Sequence, residues 1–599
     1  MNILENIMVP MRDGVLLATD IYLPELTGKK YPVVIERTPY GKHLHSRSEI
    51  TAAGHKVSRL EMAQAFVAKG IAVVYQDVRG RYASEGKFIK YLNEATDGFD
   101  TLEWISQQPW CDGNIGSMGL SYCAHTQLSM ACLHPASLKT MILDSGGFAN
   151  SYHCGIRQGG AFELKQATWA YKQAKNSSVV CNDPVLHAAL DMEDIKAWFH
   201  KMPWIEGHSP LRHVPEYESY LFEQWKKGEW DDDWKNPGIC ADCYYEQIPD
   251  IPILHVSSWY DNYVWSTLHN YSELRKCKSS PQSLIMGPWL HGDRNIAHSG
   301  DADFGQDALF DGNLGKSWLD VRVEWMEKHL IKKEQQAPSV KIFMMGGGSG
   351  TKTKNERLDC GGHWIVDKQW PLPRTKESIF YLHPNKRLHT IPTQPAVARF
   401  FSDPLHPIPT IGGSLTSGKP VYEGGGFNQI ESPDFFGTDG SNQPLTARQD
   451  ILSFQTEVLN SDLLLSGDIC FHIVFETDVP DCDITVKIVD VYPPNSDYPQ
   501  GYALNITDGI MRARYRHSWS NPSKIEQGEL VELDVYPFAT CYRVKKGHRL
   551  RLDIAGSNFP HFDVNPNSFE PEGEARHPQI AHHVIYLDRC YLTLQVLNE

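Results

Sequence analysis

The sequence predicts an α/β protein: a mostly parallel sheet covered by helices, interrupted by a helical insertion and followed by an all-β tail. Three observations carry that reading. Over residues 1–147, strand-like runs alternate with helical ones, the pattern of a parallel sheet wrapped by helices. Gly119-Leu120-Ser121-Tyr122-Cys123 places a serine where a strand turns sharply into a helix. Beyond residue 356, Pro and Gly clusters separate short runs of period two, which suggests a β-sandwich.

Taken in order, Tyr31 to Glu36 and Ile71 to Tyr75 are nearly unbroken apolar runs, as expected of strands buried on both faces. Ala95 to Ile105 carries a helical pattern. Gly113 to Met118 reads as a turn and a short strand leading to Ser121. Ala124 to Leu133 is rich in helix formers, with Ala124, Leu128, Ala131 and Cys132 on one face. From 148 to 246, helical patterns rich in Trp, Tyr and Lys interrupt the alternation, as an inserted cap would. The α/β pattern resumes over 247–355, with β-like runs at Pro252 to Ser258 and Ser283 to Met286. The tail, 356–599, is read as the sandwich, with Leu550, Leu552 and Ile554 alternating inward.

Ligand sites in such sheets lie at the carboxyl ends of the strands, which is where Ser121 stands. A serine on a strained strand-to-helix turn exposes its hydroxyl beside a helix N-terminus, and the small residues around it let strand and helix approach. The pattern here is G-x-S-x-C, with Cys123 in the place usually held by glycine, and taken alone it fits an ordinary turn as well as a nucleophile. Partners follow in the order such a fold requires. Asp261 comes just after the run ending at Ser258, and His291 just after the run that breaks at Gly287-Pro288. In a Ser-His-Asp relay, His291 takes the serine proton while Asp261 orients the ring and stabilises its charged form. Singly, the aspartate reads as a turn residue and the histidine as a solvated one. Order and position join them.

Several stretches resemble the CocE/NonD hydrolase family, related to X-Pro dipeptidyl-peptidases and α-amino-acid ester hydrolases. They include Met8 to Val15, Arg37-Thr38-Pro39-Tyr40, Gln76 to Gly86, Trp110 to Gly116 and Gly119-Leu120-Ser121-Tyr122. Trp259-Tyr260-Asp261, Gly287 to His291, Asp508 to Arg516 and Gly547-His548-Arg549 continue the match through the tail. The resemblance implies an α/β-hydrolase fold with an inserted helical cap and a C-terminal jelly roll. It implies that Ser121, Asp261 and His291 are the triad and that Tyr40, with the backbone N–H of Tyr122, forms the oxyanion hole. Tyr263 matches an aromatic position lining the acyl pocket, or packs under the cap. Two departures stand out. Ala124 replaces a glycine, which would tighten the elbow. Asn262, Tyr263 and Val264 follow Asp261, where the amino-acid ester hydrolases carry acidic residues that hold a substrate ammonium.

Composition narrows the class further. With 599 residues, 41% hydrophobic and 22% charged, the chain is a globular protein of two or three domains. A net charge of −16 argues against a nucleic-acid partner and against docking on an anionic membrane. No apolar run reaches the roughly 18 residues of a membrane span, and Met1 to Asn6 lacks a signal-peptide pattern, so the expected compartment is cytoplasmic. The 13 cysteines read as reduced thiols. Cys240-Ala241-Asp242-Cys243 has no second pair nearby, His43-Leu44-His45 and His582-His583 read as surface or pocket histidines, and Gly346 to Gly350 reads as a flexible turn. No cofactor and no metal are expected. The sequence thus points to hydrolysis of a small-molecule acyl ester, with an amidase or X-Pro-type peptidase second. A catalytically silent protein using the jelly roll for binding is the non-enzymatic alternative. Homo-oligomerisation stays open.

Overall fold

The computed structural model describes residues 1–25, 28–201, 204–334 and 337–598. Its first half is an α/β-hydrolase sheet. β1 (Asn2–Pro10) and β2 (Leu16–Leu23) form an antiparallel pair at one edge, and β2 pairs antiparallel with β4 (Ala72–Asp77). From β4 the sheet runs parallel through β3 (Tyr31–Thr38), β5 (Cys111–Leu120) and β6 (Leu138–Asp144) to the strands Ile253–Ser258, Gln282–Gly287 and Val340–Gly346. Gly362–Asp367 closes it antiparallel. β3 and β4 are buried along their whole length, which explains the continuous apolar runs.

Helices α1 (Arg59–Val67), α2 (Glu94–Ser106) and α3 (Tyr122–Ala131) cover the sheet. Every residue of α3 is buried, so the helix that begins at the serine lies inside the molecule. The stretch between β6 and Ile253–Ser258 contains α4 (Lys165–Lys175) and the helix Pro215–Lys226. They share one aromatic core that includes Phe88, Tyr91, Tyr122, Phe148, Trp169 and Tyr263. That core attaches the cap directly above Ser121.

The tail is a β-sandwich. The long strand Leu463–Thr477 pairs antiparallel with Val531–Val535, Thr540–Val544, Ala581–Tyr586 and Tyr591–Leu597. A second sheet joins Asp483–Tyr492 to Tyr502–Arg512 and Arg549–Ala555, and both contribute to one hydrophobic core. Cap and sandwich are tied by a buried charge cluster in which Glu572 accepts from Arg157 at 2.7 Å and from Arg512 at 2.9 Å. Although burial opposes its ionisation, Arg157 and Arg512 hold the Glu572 pKa down to about 2.

Two local expectations change. Gly346 to Gly350 is a tightly closed turn, not a loose one: the Gly348 N–H donates to Cys360 O at 2.7 Å, and a Cβ at Gly346 would meet Arg543 O at 2.3 Å. His582 is exposed and pairs with Asp478, whereas His583 points into the sandwich core, where burial lowers its pKa to about 4. Strand alternation separates the neighbours.

Candidate active site

β5 passes into α3 through a single residue, Ser121, at φ 61° and ψ −120°. A non-glycine residue with positive φ is strained and persists only where the surroundings fix it. Here the Ser121 N–H donates to Asp144 O at 2.8 Å, and Ser121 O accepts from the N–H groups of Ala124 and His125 at 2.8 and 3.1 Å. The turn is crowded. A Cβ at Gly119 would lie 2.4 Å from Cys123 Cβ, and one at Gly146 would lie 2.5 Å from Ser121 O and 3.0 Å from Ala124 Cβ. Cys123 is therefore accommodated because Gly119 faces it, and Ala124 because Gly146 does.

Asp261 and His291 meet as the sequence order suggests. Asp261 Oδ2 lies 2.9 Å from His291 Nδ1, and Asp261 Oδ1 accepts from the Tyr263 N–H at 3.1 Å. The carboxylate is fully buried and the imidazole nearly so. With Nδ1–H given to Asp261, Nε2 is the ring atom left to act as a base. Ser121 and His291 line one cleft of about 430 Å³.

The loop carrying His291 is braced by a charge network that sequence reasoning missed. Arg47 donates to His291 O, Arg294 pairs with Asp144 and donates to Ser48 O at 3.3 Å, and Arg322 grips Glu49 at 2.6 and 3.0 Å. Asp144 thus touches both ends of the machinery, its carbonyl holding Ser121 and its carboxylate holding Arg294. Nothing in the spacing of these residues signals the network, since its members are far apart in the chain.

Tyr40 follows β3 and lines the cleft beside Ser121. Its oxygen accepts from Trp169 Nε1–H at 3.3 Å, and the Ser121 hydroxyl is a second partner. Burial pushes its pKa up to about 12, so the phenol keeps its proton at neutral pH. Arg81, from the Gln76 to Gly86 motif, donates to Pro39 O at 3.0 Å and to Gln173 of α4 at 2.9 and 3.1 Å. The arginine fastens the Tyr40 loop to the cap. Asp77, at the end of β4, accepts from the Lys42 N–H at 2.7 Å. Tyr122 is the first residue of α3, so its N–H has no acceptor within the helix; its phenol accepts from the Tyr91 N–H and donates to Glu94, both at 2.9 Å.

On the other side of Ser121 a smaller pocket is lined by Lys90, Tyr91, His125, Lys165, Gln166 and Tyr263. Tyr263 stands between the pocket and His291. It lines this pocket, and its ring packs against His125 at 5.0 Å and His291 at 5.6 Å between centroids. Lys165, His125 and Lys90 carried no sequence signal, because lone polar residues in helical or loop runs normally face solvent. Elsewhere, Cys240 and Cys243 bring their sulfurs to 2.8 Å beside Asp242. No helix among the described residues is long and apolar enough to cross a membrane.

Comparison with known proteins agrees with this architecture. Residues 13–293 match the X-Pro dipeptidyl-peptidase (S15 family) model, and residues 332–592 match the X-Pro dipeptidyl-peptidase C-terminal non-catalytic domain. The chain is 28% identical to the cocaine esterase of Rhodococcus sp. (strain MB1 Bresler) over 95% of this chain and 93% of that one. A putative serine esterase of Mycobacterium bovis is 23% identical over 93% and 91%. Among solved structures, an α-amino acid ester hydrolase superposes with a TM-score of 0.75 at 23% identity, covering 99% and 96% of the two chains. A CocE/NonD family hydrolase from Staphylococcus aureus gives 0.66 at 17% identity, covering 99% and 94%.

Proposed function

Given that this chain belongs to the X-Pro dipeptidyl-peptidase (S15) and CocE/NonD group of serine hydrolases, we propose that it cleaves a small acyl ester through an acyl-enzyme. The observation that carries the reading is Ser121 on its strained turn, sharing a cleft with a His291 whose Nδ1 is held by Asp261 at 2.9 Å. Ser121 Oγ attacks the ester carbonyl while His291 Nε2 takes its proton. The C–O bond to the alcohol breaks, and His291 returns the proton to that oxygen. Water, activated by the same nitrogen, then releases the acid. Negative charge on the carbonyl oxygen is met by Tyr40 Oη–H and the Tyr122 N–H, with the N-terminal end of the α3 dipole behind them.

Ester is favoured over a free-amino peptide substrate by the inner pocket. No carboxylate lines it among the described residues. Glu163, nearby, is already engaged by Lys165, by the Gly155 N–H and by Asn262. An α-ammonium would find no anion there, in line with the absence of acidic residues directly after Asp261.

The test is covalent labelling with a serine-directed fluorophosphonate, combined with a panel of esters and anilides. The wild type is expected to label and to hydrolyse esters. Ser121→Ala, which removes one oxygen from an already formed turn, should lose labelling and at least about 10³-fold in kcat. Labelling retained by the variant would place the nucleophile elsewhere.

A further inference from the structure

Two cavities of very different size meet at Ser121. The larger, of about 430 Å³, is lined by His291 together with Leu44, Leu290, Leu415 and Tyr422. The inner one is a void of about 10 Å³, room for about one water. Their roles follow from the proton. The alcohol oxygen must lie against His291 Nε2 to be protonated as it leaves, so the alcohol takes the cleft that His291 lines. The acyl substituent takes the other side of Ser121, where the Tyr263 ring separates the inner pocket from the imidazole.

The inner pocket is small because side chains fill it, and those side chains are fixed. Lys90 is 2% exposed, with Nζ 3.7 Å from the Trp169 ring and 4.9 Å from that of Tyr91. It donates to Gln166 Oε1 at 2.6 Å, and Gln166 Nε2 is held in turn by Gly155 O at 2.6 Å. Burial disfavours the charged form of Lys90 and lowers its pKa well below the usual lysine range, so what the side chain gives the pocket is bulk. The next wall is a packed set of rings. His125 lies on Phe148 at 3.7 Å, with Nδ1 accepting from the Gly147 N–H at 2.9 Å. Tyr91 sets its ring 5.0 Å from that of Tyr122 and 4.9 Å from that of Phe148. Phe148 is backed by Gly155, where a Cβ would lie 2.4 Å from its ring. Lys165 is tied to Asn262 Oδ1 at 2.6 Å and to Glu163 at 3.2 Å. Walls packed this closely do not admit an extra methylene without strain.

We propose that the inner pocket limits the acyl group to a single carbon beyond the carbonyl, so that the substrate is an acetyl ester of a larger alcohol, and that Lys90 sets this limit by its bulk. The proposal rests on the serine-esterase reading above. The acetyl carbonyl sits at Ser121, its methyl takes about the space of one water, and the alcohol leaves through the larger cleft. Each further methylene must displace Lys90 or a packed ring. Lys90 is a specificity determinant and takes no part in bond making.

The test measures kcat/KM for the acetate, propionate, butyrate and hexanoate of one chromogenic alcohol, each divided by its rate of alkaline hydrolysis so that chemical reactivity cancels. The wild type is expected to favour acetate and to lose roughly tenfold for each methylene added up to butyrate, the cost of overfilling a packed site. Lys90→Ala should open the pocket and raise propionate and butyrate relative to acetate by about tenfold or more, whereas Lys90→Met, close in volume, should keep the acetate preference. Turnover of the acetate, abolished by Ser121→Ala, reports a folded site in each variant, and if Lys90→Ala does not fold the wild-type profile decides. Equal kcat/KM for acetate and butyrate in an active wild type would overturn the proposal and leave the esterase reading intact. An acetate preference unchanged in an active Lys90→Ala would remove Lys90 as the residue that sets the limit. Absence of Ser121-dependent turnover of any ester would instead overturn the esterase reading itself.

Discussion

Tyr40→Phe separates a transition-state donor from a packing residue, because it removes one hydroxyl and almost no volume. Besides the contact with the Ser121 hydroxyl, two interactions change. The first is the bond from Trp169 Nε1–H, at 3.3 Å. It is long, and its loss leaves a nearly buried indole N–H without an acceptor, a cost of about 1 kcal/mol in stability. The second is formed only when the carbonyl oxygen becomes negative. Because the tyrosine oxygen already accepts from Trp169, its own hydrogen is free to point at the cleft. A phenol pKa of about 12 keeps that hydrogen in place across any neutral assay. Removing one donor of this kind costs about 3 kcal/mol of transition-state stabilisation, or 10²–10³ in kcat, with the Tyr122 N–H supplying what remains. The acylation rate should therefore be read from the pre-steady-state burst of a chromogenic ester, since product release can mask it in steady state. Binding of an unreactive ketone analogue should change little. A burst rate equal to wild type, with only the melting temperature lowered, would refute the argument and leave Tyr40 as a packing residue.

Two further predictions follow from the same geometry. Asp261→Asn replaces the acceptor of the His291 Nδ1–H, 2.9 Å away, by an amide that can turn an N–H toward the ring; kcat should fall by about 10⁴ through the wrong tautomer, and a loss under tenfold would exclude Asp261 from the relay. Asp77 tests a pH dependence of stability. Burial raises its pKa from 3.8 to about 6, against hydrogen bonding from the Lys42 N–H, so the folded state holds its proton more tightly than the unfolded one. The sign is that stability contributed by the protonated form is complete below about 4 and lost as pH rises through about 6. Asp77→Asn carries no such penalty, so its stability relative to wild type, measured by urea unfolding, should improve by about 2–3 kcal/mol between pH 4 and pH 7. A difference independent of pH would contradict the burial argument.

Much of the framework was legible in the chain because it rests on local rules. β3 and β4 are buried on both faces and so read as apolar runs. Ser121 needed glycine at 119 and a helix-forming sequence after it, and Asp261 and His291 each follow a strand. These signals are short in sequence and the fold repeats them. The turn and short strand expected over Gly113 to Met118 are instead part of one longer strand, Cys111–Leu120, which begins where Cys111 pairs with Tyr31 ahead of a register shift that hydropathy alone does not mark. The turn at Gly346 to Gly350 looked loose because its constraint comes from Cys360 and Arg543, far away in the chain.

The bracing of the site and the lining of its inner pocket were not legible, for one physical reason. Both are made by residues distant in the chain: the bracing joins the loops carrying Arg47 and His291 to Asp144 and Arg322, and the pocket forms where the cap lies over α3. Lys90 comes from the loop before α2, His125 from α3 itself and Gln166 from α4, and no two of them share a periodic pattern. In a sequence, a lysine beside an aromatic is ordinarily a side chain reaching solvent. It becomes a buried side chain only when Trp169 closes over it from the cap at 3.7 Å. On the proposed reading, the triad stands at strand ends and the walls of the inner pocket come in part from the cap, through Lys165, Gln166 and Trp169. On this argument, exchanging cap residues around Lys90 should move acyl preference without touching the triad, whereas changes at Gly119 or Gly146, where a Cβ would collide with the elbow at 2.4–2.5 Å, should abolish turnover of every ester alike.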